Sequence, residues 1–186
     1  MGSFCDPQGF GGLAHFCGHM LFMGTKTYPC ENEFESFLSR HGGSSNAFTD
    51  QEATVFAFDV RAKYLKGALN RFARFFSEPL MKADSMGREL EAVDSEFVQA
   101  RTNDGARLEQ LLFHLAKDKH VTRNFSWGNR LSILGKDESP EAYVHFDSRT
   151  STLSRIYQKK IEHQTVTKRY ERIFSNFIAS VTVRTR

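Results

Sequence analysis

Cysteine is scarce in this chain of 186 residues. Its three cysteines, Cys5, Cys17 and Cys30, are an odd number, and no two of them have CxxC spacing. This pattern argues against a disulfide framework and predicts free thiols in a reducing compartment. We therefore expect a cytosolic location.

The chain also lacks a strong charge of either sign and any long hydrophobic run. Its formal net charge of +3 is too small to indicate a nucleic-acid or membrane-surface partner. No apolar stretch approaches the roughly 20 residues that span a bilayer, and the first residues do not follow the order of a secretory signal. We therefore expect neither nucleic acid nor membrane among the partners.

Phenylalanine, in contrast, is abundant, with 18 copies. Most lie in stretches of helical or alternating spacing, which favours a phenylalanine-rich core over a specialised aromatic site. The spacing predicts helices over 11–24, 31–41, 64–76, 84–99 and 106–117, the fourth of them capped by Asp84 or Ser85. Alternation predicts strands over 47–49 and 54–60. Strands mixed with long helices, without repeats or a linker, indicate an α+β layer fold.

Two histidines have the spacing of a metal site. His15 and His19 lie four residues apart in the first predicted helix, so both rings face one side, one turn apart. In the inverzincin pattern H-x-x-E-H the glutamate is the general base, but here that position is Gly18. Cys17 lies on roughly the opposite helix face, and we interpret it as a packing residue.

A catalytic zinc site normally needs a third protein ligand. Beyond its first turn, the helix predicted over 84–99 offers Glu89, Glu91, Asp94 and Glu96. Glu89 and Glu96 share a face because they are seven residues apart, so one could bind an ion while the other orients a histidine. From this spacing alone, two ordinary histidines and a solvated acidic helix face remain the alternative.

Six ordered segments extend the pattern well beyond the two histidines. They read GLAHF at 12–16, HMLFMG at 19–24, YPCENE at 28–33, HGGSSNAFT at 41–49, ELEAVDSE at 89–96 and FSWGN at 125–129. Over about residues 2–135 the chain thus resembles the pitrilysin-type inverzincin metallopeptidases, in the branch of insulin-degrading enzyme and nardilysin. The resemblance implies an N-terminal peptidase domain, with a mixed, mostly antiparallel sheet and long helices packed on one face.

The resemblance also implies domain limits. It places the core of the peptidase domain at residues 1–139. Residues 140–186 do not match the family and are interpreted as a diverged or aberrant end of the same domain. The strand that precedes the zinc helix in the family and the further homologous domains are missing, so we expect a truncated, incomplete copy.

Site residues follow from the resemblance position by position. His15, His19 and Glu96 match the zinc ligands, and Glu89 matches an acid that supports a ligand. Four further positions match the substrate cleft: Asn46 and Ala47 as an edge strand to which a peptide adds, and Phe22 and Phe48 as apolar lining. The implied partners are a peptide or small protein and further homologous domains or a partner chain.

The predicted function is a zinc-dependent metalloendopeptidase domain that is weak or inactive because Gly18 supplies no base. One alternative is a non-catalytic module that binds peptides or a partner through the edge strand at Asn46 and Ala47. Another is a truncated product that associates through apolar surface, such as that of the helix predicted over 64–76.

Overall fold

The computed structural model describes residues 2–134. Its helices are Leu13–Met20 (α1), Glu33–Arg40 (α2), Leu65–Ser77 (α3), Ala83–Ala100 (α4), Asp104–His114 (α5) and Arg130–Leu134 (α6), and its strands are Ser44–Thr49 (β1) and Thr54–Asp59 (β2). Helices combined with an antiparallel strand pair confirm the α+β prediction. The segment 140–186, predicted to end the domain, lies outside the described residues.

The two strands form a hairpin whose side chains alternate between two environments. The Asp50 N–H donates to the Ala53 carbonyl oxygen at 2.7 Å across the turn. Next to the turn, the hydroxyl oxygens of Thr49 and Thr54 stand 3.1 Å apart. Exposed and half-buried residues alternate along both strands, which confirms the predicted alternation in β2.

The described chain divides into two compact units. The first contains residues 2–22, 46–57 and 82–134. Its buried apolar side chains come mainly from α1, α4 and α6: Leu13, Ala14, Phe16, Met20, Leu90, Val93, Ile133 and Leu134. In α1 and α4 these residues recur at three- or four-residue intervals, so each helix buries one stripe.

Several helix boundaries in this first unit differ from prediction. α1 ends at Met20 rather than near Gly24, because the Phe22 N–H reaches back only three residues, to the His19 carbonyl. The predicted caps of α4 are wrong, since the residue at the cap position is Lys82 and its side chain caps no backbone group.

α5 begins at Asp104, where the Asn103 side chain accepts the Ala106 N–H at 3.0 Å and caps the helix. Its three leucines, at positions 108, 111 and 112, and Leu115 at its C-terminal cap are 53–70% exposed. No helix among the residues 2–134 is both long and apolar enough to cross a bilayer.

The second unit contains residues 23–45 and 58–81 within the described chain. Its core is aromatic: Phe34 of α2 lies 5.1 Å from Phe75 and 5.6 Å from Phe58 between ring centroids, and Phe58 lies 5.0 Å from Phe72. These contacts confirm the prediction of a phenylalanine-rich core.

Beside this core, the Arg71 guanidinium stacks on two rings, 4.6 Å from the Tyr28 centroid and 4.0 Å from the Phe37 centroid. Arg71 also donates from two nitrogens to Glu33, each 2.9 Å from the carboxylate. One side chain therefore joins α2 and α3 through stacking and a paired charge.

Candidate metal centre

α1 holds the two histidines of the motif on one face. The ring centroids of His15 and His19 are 4.9 Å apart, and their Nε2 atoms are 3.2 Å apart. Both side chains are about one-fifth exposed. Both rings can therefore reach a single ion.

The start of α1 is fixed by a buried carboxylate that the sequence did not reveal. Asp6 accepts the Gly12 N–H with Oδ2 and the Ala14 N–H with Oδ1, each at 2.8 Å. Burial raises the pKa of Asp6 from 3.8 to about 6, against the opposing effect of these backbone N–H donors. The carboxylate thereby occupies donors that the first turn of a helix leaves without partners.

α4 supplies both acids that reach the histidines. Glu96 Oε2 lies 3.2 Å from His15 Nε2, and Glu96 Oε1 lies 3.7 Å from His19 Nε2. Glu89 Oε2 lies 3.0 Å from His19 Nδ1, on the other side of that ring. Two of the four acids that the sequence offered thus converge on the histidines.

The other two of these four acids, Glu91 and Asp94, contact α6 instead. Glu91 pairs with the Arg130 guanidinium, and Asp94 accepts the Arg130 backbone N–H at 2.9 Å. Glu91 and Asp94 therefore do not belong to the histidine cluster.

Hydrogen bonds behind the two rings decide which nitrogens face the cluster. The Trp127 carbonyl oxygen lies 2.7 Å from His15 Nδ1, and because a carbonyl only accepts, this nitrogen carries the proton. The ionised Glu89 carboxylate also only accepts, so His19 Nδ1 carries a proton as well. In the neutral rings both Nε2 atoms then present lone pairs, toward each other and toward Glu96.

This donor set fits a divalent cation. His15, His19 and Glu96 form a group, found among residues 2–134, whose ligand atoms all lie within 4.8 Å of one another. A tetrahedral zinc ion with bonds of about 2.0–2.1 Å separates its ligand atoms by about 3.3–3.4 Å. The contacts of 3.2, 3.2 and 3.7 Å are close to that spacing. Lone pairs held this close repel one another unless a cation or a proton lies among them.

Gly18 lies in the same helix and is buried, but it carries no group that can accept a proton. A Cβ at this position would lie 3.7 Å from Thr49 Oγ1 and 3.9 Å from Thr54 Cγ2, which are ordinary contacts. The glycine is therefore not required by crowding. The neighbouring Cys17 is a free thiol whose pKa is raised to about 12, first by burial and then by the charge of Asp6.

The residues predicted to contact substrate lie on and beside the hairpin. The ring of Phe22 lies 6.0 Å from that of Phe56, and Phe48 is 57% exposed. The Asn46 side chain accepts the neighbouring Ala47 N–H at 2.9 Å. Because residues 50 and 53 form a hydrogen-bonded pair, the alternation of an antiparallel ladder directs the Ala47 N–H away from β2.

Two contributors were missed by the sequence interpretation, Asp6 and the Trp127 carbonyl. Trp127 was noted within a matching segment, but a backbone acceptor has no residue type that could reveal it. Asp6 lies in a turn-rich stretch before α1, and only the fold shows that its carboxylate meets the first turn.

The comparisons with known proteins show which family the chain belongs to. The model of the family described as insulinase (peptidase family M16) matches residues 1–124. The chain belongs to this family. A nardilysin-like protein of Arabidopsis thaliana is 52% identical over 139 residues, which are 75% of this chain and 14% of that protein. Insulin-degrading enzyme of Homo sapiens is 50% identical over 133 residues, which are 72% of this chain and 13% of that enzyme.

A solved structure agrees as well. The crystal structure of pitrilysin matches with a TM-score of 0.68 and 38% identity, over 72% of this chain and 14% of that one. The resemblance to pitrilysin-type peptidases of the nardilysin and insulin-degrading enzyme branch is confirmed. The chain spans about one-seventh of the length of the curated relatives that it matches.

Proposed function

We propose that this chain is a zinc-binding metalloendopeptidase domain that acts on peptides or small proteins and whose catalysis is impaired by Gly18. The observation that carries the proposal is the convergence of His15 Nε2, His19 Nε2 and the Glu96 carboxylate at 3.2–3.7 Å. Membership in the peptidase family M16 supports the hydrolytic class.

Each residue has a defined part in this proposal. His15, His19 and Glu96 hold the ion, while Glu89 and the Trp127 carbonyl hold the Nδ1 protons and so keep both Nε2 lone pairs directed inward. When bound, zinc supplies Lewis acidity to the scissile carbonyl and activates a water molecule.

Position 18 is where the motif places the proton acceptor, and a glycine accepts none. Loss of a general base typically costs about 10²–10⁴-fold in rate. We therefore expect a domain that holds zinc and cleaves peptides poorly.

Metal content tests the zinc site. Purified protein loaded with zinc and dialysed should retain one ion per chain, and His19→Ala should lose it because one of three ligands is gone. His114→Ala is the matched control, since His114 is an exposed residue at the end of α5. Equal zinc content in the His19→Ala and unmodified proteins would contradict the proposal.

Peptide hydrolysis tests the role of position 18. The ordinary contacts around a Cβ at this position indicate that a side chain can start there without displacing the hairpin. Gly18→Glu should raise chelator-sensitive turnover by about 10²–10⁴-fold, because it restores a base. Gly18→Gln, of similar size but without a base, should not. Fast turnover by the unmodified chain, or an equal gain with glutamine, would show that Gly18 is not the cause of impairment.

A second candidate function is peptide binding without cleavage, by addition of a strand to β1. The specific support is Phe48, a phenylalanine 57% exposed on a strand whose Ala47 N–H is directed outward. Calorimetry with unstructured peptides tests it: Phe48→Ala and Phe22→Ala should weaken binding. Asn46→Ala should strengthen it, because the Asn46 side chain occupies the Ala47 N–H that an added strand would use. Leu131→Ala, which truncates an exposed leucine of α6, should leave binding unchanged. Binding unchanged in all four variants would refute this mode.

We also propose that further homologous domains or a partner chain contact this domain, and that it is cytosolic. Support for the first comes from the much greater length of the relatives and from the four exposed leucines in α5 and at its C-terminal cap. The free thiols Cys5, Cys17 and Cys30 support a reducing compartment. Size-exclusion chromatography at several concentrations tests association, and a monomer at all of them would count against exposed apolar surface as a driving force.

A further inference from the structure

The two histidines of the cluster are oriented in chemically different ways. His19 donates its Nδ1 proton to a carboxylate on α4, whereas His15 donates to the backbone carbonyl of Trp127, 112 residues further along the chain. A side-chain partner is positioned by its helix. A carbonyl partner depends on the course of its loop, here residues 125–130, which we call the Trp127 loop.

Ser132 ties the Trp127 loop to the start of α1. The Asn129 N–H donates to Ser132 Oγ at 2.9 Å, and the Ser132 N–H donates to Asn129 Oδ1 at 2.8 Å, a reciprocal cap at the start of α6. The same Ser132 hydroxyl donates to the Gly11 carbonyl oxygen at 2.7 Å. The Ser132 hydroxyl thus links the end of the Trp127 loop to Gly11, just before α1 begins.

Asp94 ties the loop to α4. Its Oδ1 accepts the Arg130 N–H at 2.9 Å. Because Glu89 and Glu96 belong to the same helix, the helix that supplies both acids also holds the loop that orients His15.

The loop and the start of α1 are in backbone contact. A Cβ on Gly12 would lie only 2.0 Å from Gly128 Cα, and a Cβ on Gly11 would lie 2.2 Å from the Phe125 carbonyl oxygen. No side chain separates the two segments at these positions, so a displacement of the loop moves the Trp127 carbonyl relative to His15 directly.

We propose that Ser132 and Asp94 are positioning residues of the metal centre, which set the tautomer of His15 by holding the Trp127 carbonyl against its Nδ1–H. The expected effect on zinc affinity rests on the proposed zinc site, whereas the His15 tautomer exists in the metal-free protein as well. With the loop displaced, the Nδ1 proton loses its acceptor, and the ring is free to carry the proton on Nε2, where it blocks the ligand lone pair.

Nitrogen NMR of the metal-free protein at alkaline pH measures this directly, because protonated and unprotonated ring nitrogens have distinct shifts. The unmodified chain should show His15 with its proton on Nδ1. Ser132→Ala should shift His15 toward the Nε2–H form and leave His19 unchanged. The matched control is Ser95→Ala, which removes a hydroxyl that donates, within residues 2–134, to the Glu91 carbonyl on the exposed side of α4. An unchanged His15 tautomer in Ser132→Ala would overturn the proposal.

Zinc affinity, measured by chelator competition, provides the second readout. Ser132→Ala and Asp94→Ala should each weaken binding by about 10- to 100-fold, the usual cost of losing support for a ligand. Ser132→Thr and Asp94→Asn keep the hydroxyl and the acceptor oxygen, so they should restore affinity. Thermal unfolding of all variants shows whether a lower zinc affinity reflects a general loss of stability rather than a loss of positioning.

The outcomes separate this inference from the proposed function. If the unmodified chain binds no zinc, the proposed function fails, and the His15 tautomer still decides whether Ser132 positions the ring. If the chain binds zinc, and Ser132→Ala keeps both the His15 tautomer and a zinc affinity within twofold of the unmodified chain, the positioning role is wrong while the metal site stands.

Discussion

Replacing Gly18 with alanine tests whether α1 accepts a side chain at the position where the H-x-x-E-H motif has glutamate. Alanine is more favourable than glycine in a helix interior by about 1 kcal/mol. Gly18 is not among the glycines with a positive φ, so its backbone suits any residue. The new methyl group would be buried, with its nearest described neighbours at 3.7 and 3.9 Å, and its burial adds up to about 0.8 kcal/mol. The free energy of unfolding should therefore rise by between about 1 and 2 kcal/mol.

Two other glycines serve as matched controls for this substitution. Gly87 lies on the exposed side of α4 with no described atom within 4 Å of a Cβ, so Gly87→Ala should add only the helix term of about 1 kcal/mol. Gly12 has φ of 87° and would drive its Cβ to 2.0 Å from Gly128 Cα. Gly12→Ala should therefore destabilise by at least about 2 kcal/mol.

Urea unfolding followed by circular dichroism measures all three variants. The expected order of stability is Gly18→Ala above Gly87→Ala, above the unmodified chain, above Gly12→Ala. A destabilised Gly18→Ala would refute the reasoning, because it would mean that Gly18 is needed for close approach rather than merely tolerated.

Two further predictions concern pH and charge. Burial raises the pKa of Asp6 from 3.8 to about 6, so the folded state binds the proton more tightly than the unfolded chain, and the stabilisation from Asp6 is fully present below about pH 4 and lost as the pH rises through about 6. Asp6→Asn should remove this part of the pH dependence of urea unfolding, and equal slopes in the two proteins would contradict it. Arg71→Lys should lower the free energy of unfolding by about 1–2 kcal/mol, because lysine loses the two-nitrogen contact with Glu33 and the stacking on two rings. Arg74→Lys, whose partner Glu78 lies at 3.5 Å, should change the free energy of unfolding by less than about 0.5 kcal/mol. Equal losses in both variants would refute the importance of the two-nitrogen contact between Arg71 and Glu33.

Several elements could be predicted because their signals are local. The apolar stripes of α3 and α4 repeat at helical spacing, and β2 alternates, so their existence follows from periodicity alone. Helix ends were less predictable, since they depend on single hydrogen bonds such as the three-residue turn that ends α1. The leucines of α5 have the spacing of a buried stripe, yet they are exposed in the described structure, because periodicity indicates a face and not what covers it.

Helix geometry alone places His15 and His19 on one face, because residues four apart lie one turn apart, and the sequence shows directly that Gly18 leaves the motif without a base. The roles of the two acids could not be read in this way. Glu96 faces the Nε2 atoms and Glu89 the opposite side of His19 because of how α4 packs against α1, which no local pattern specifies. The partner of His15 was equally beyond the sequence. The Trp127 carbonyl is a backbone group that every residue carries, and only folding brings it within 2.7 Å of the ring.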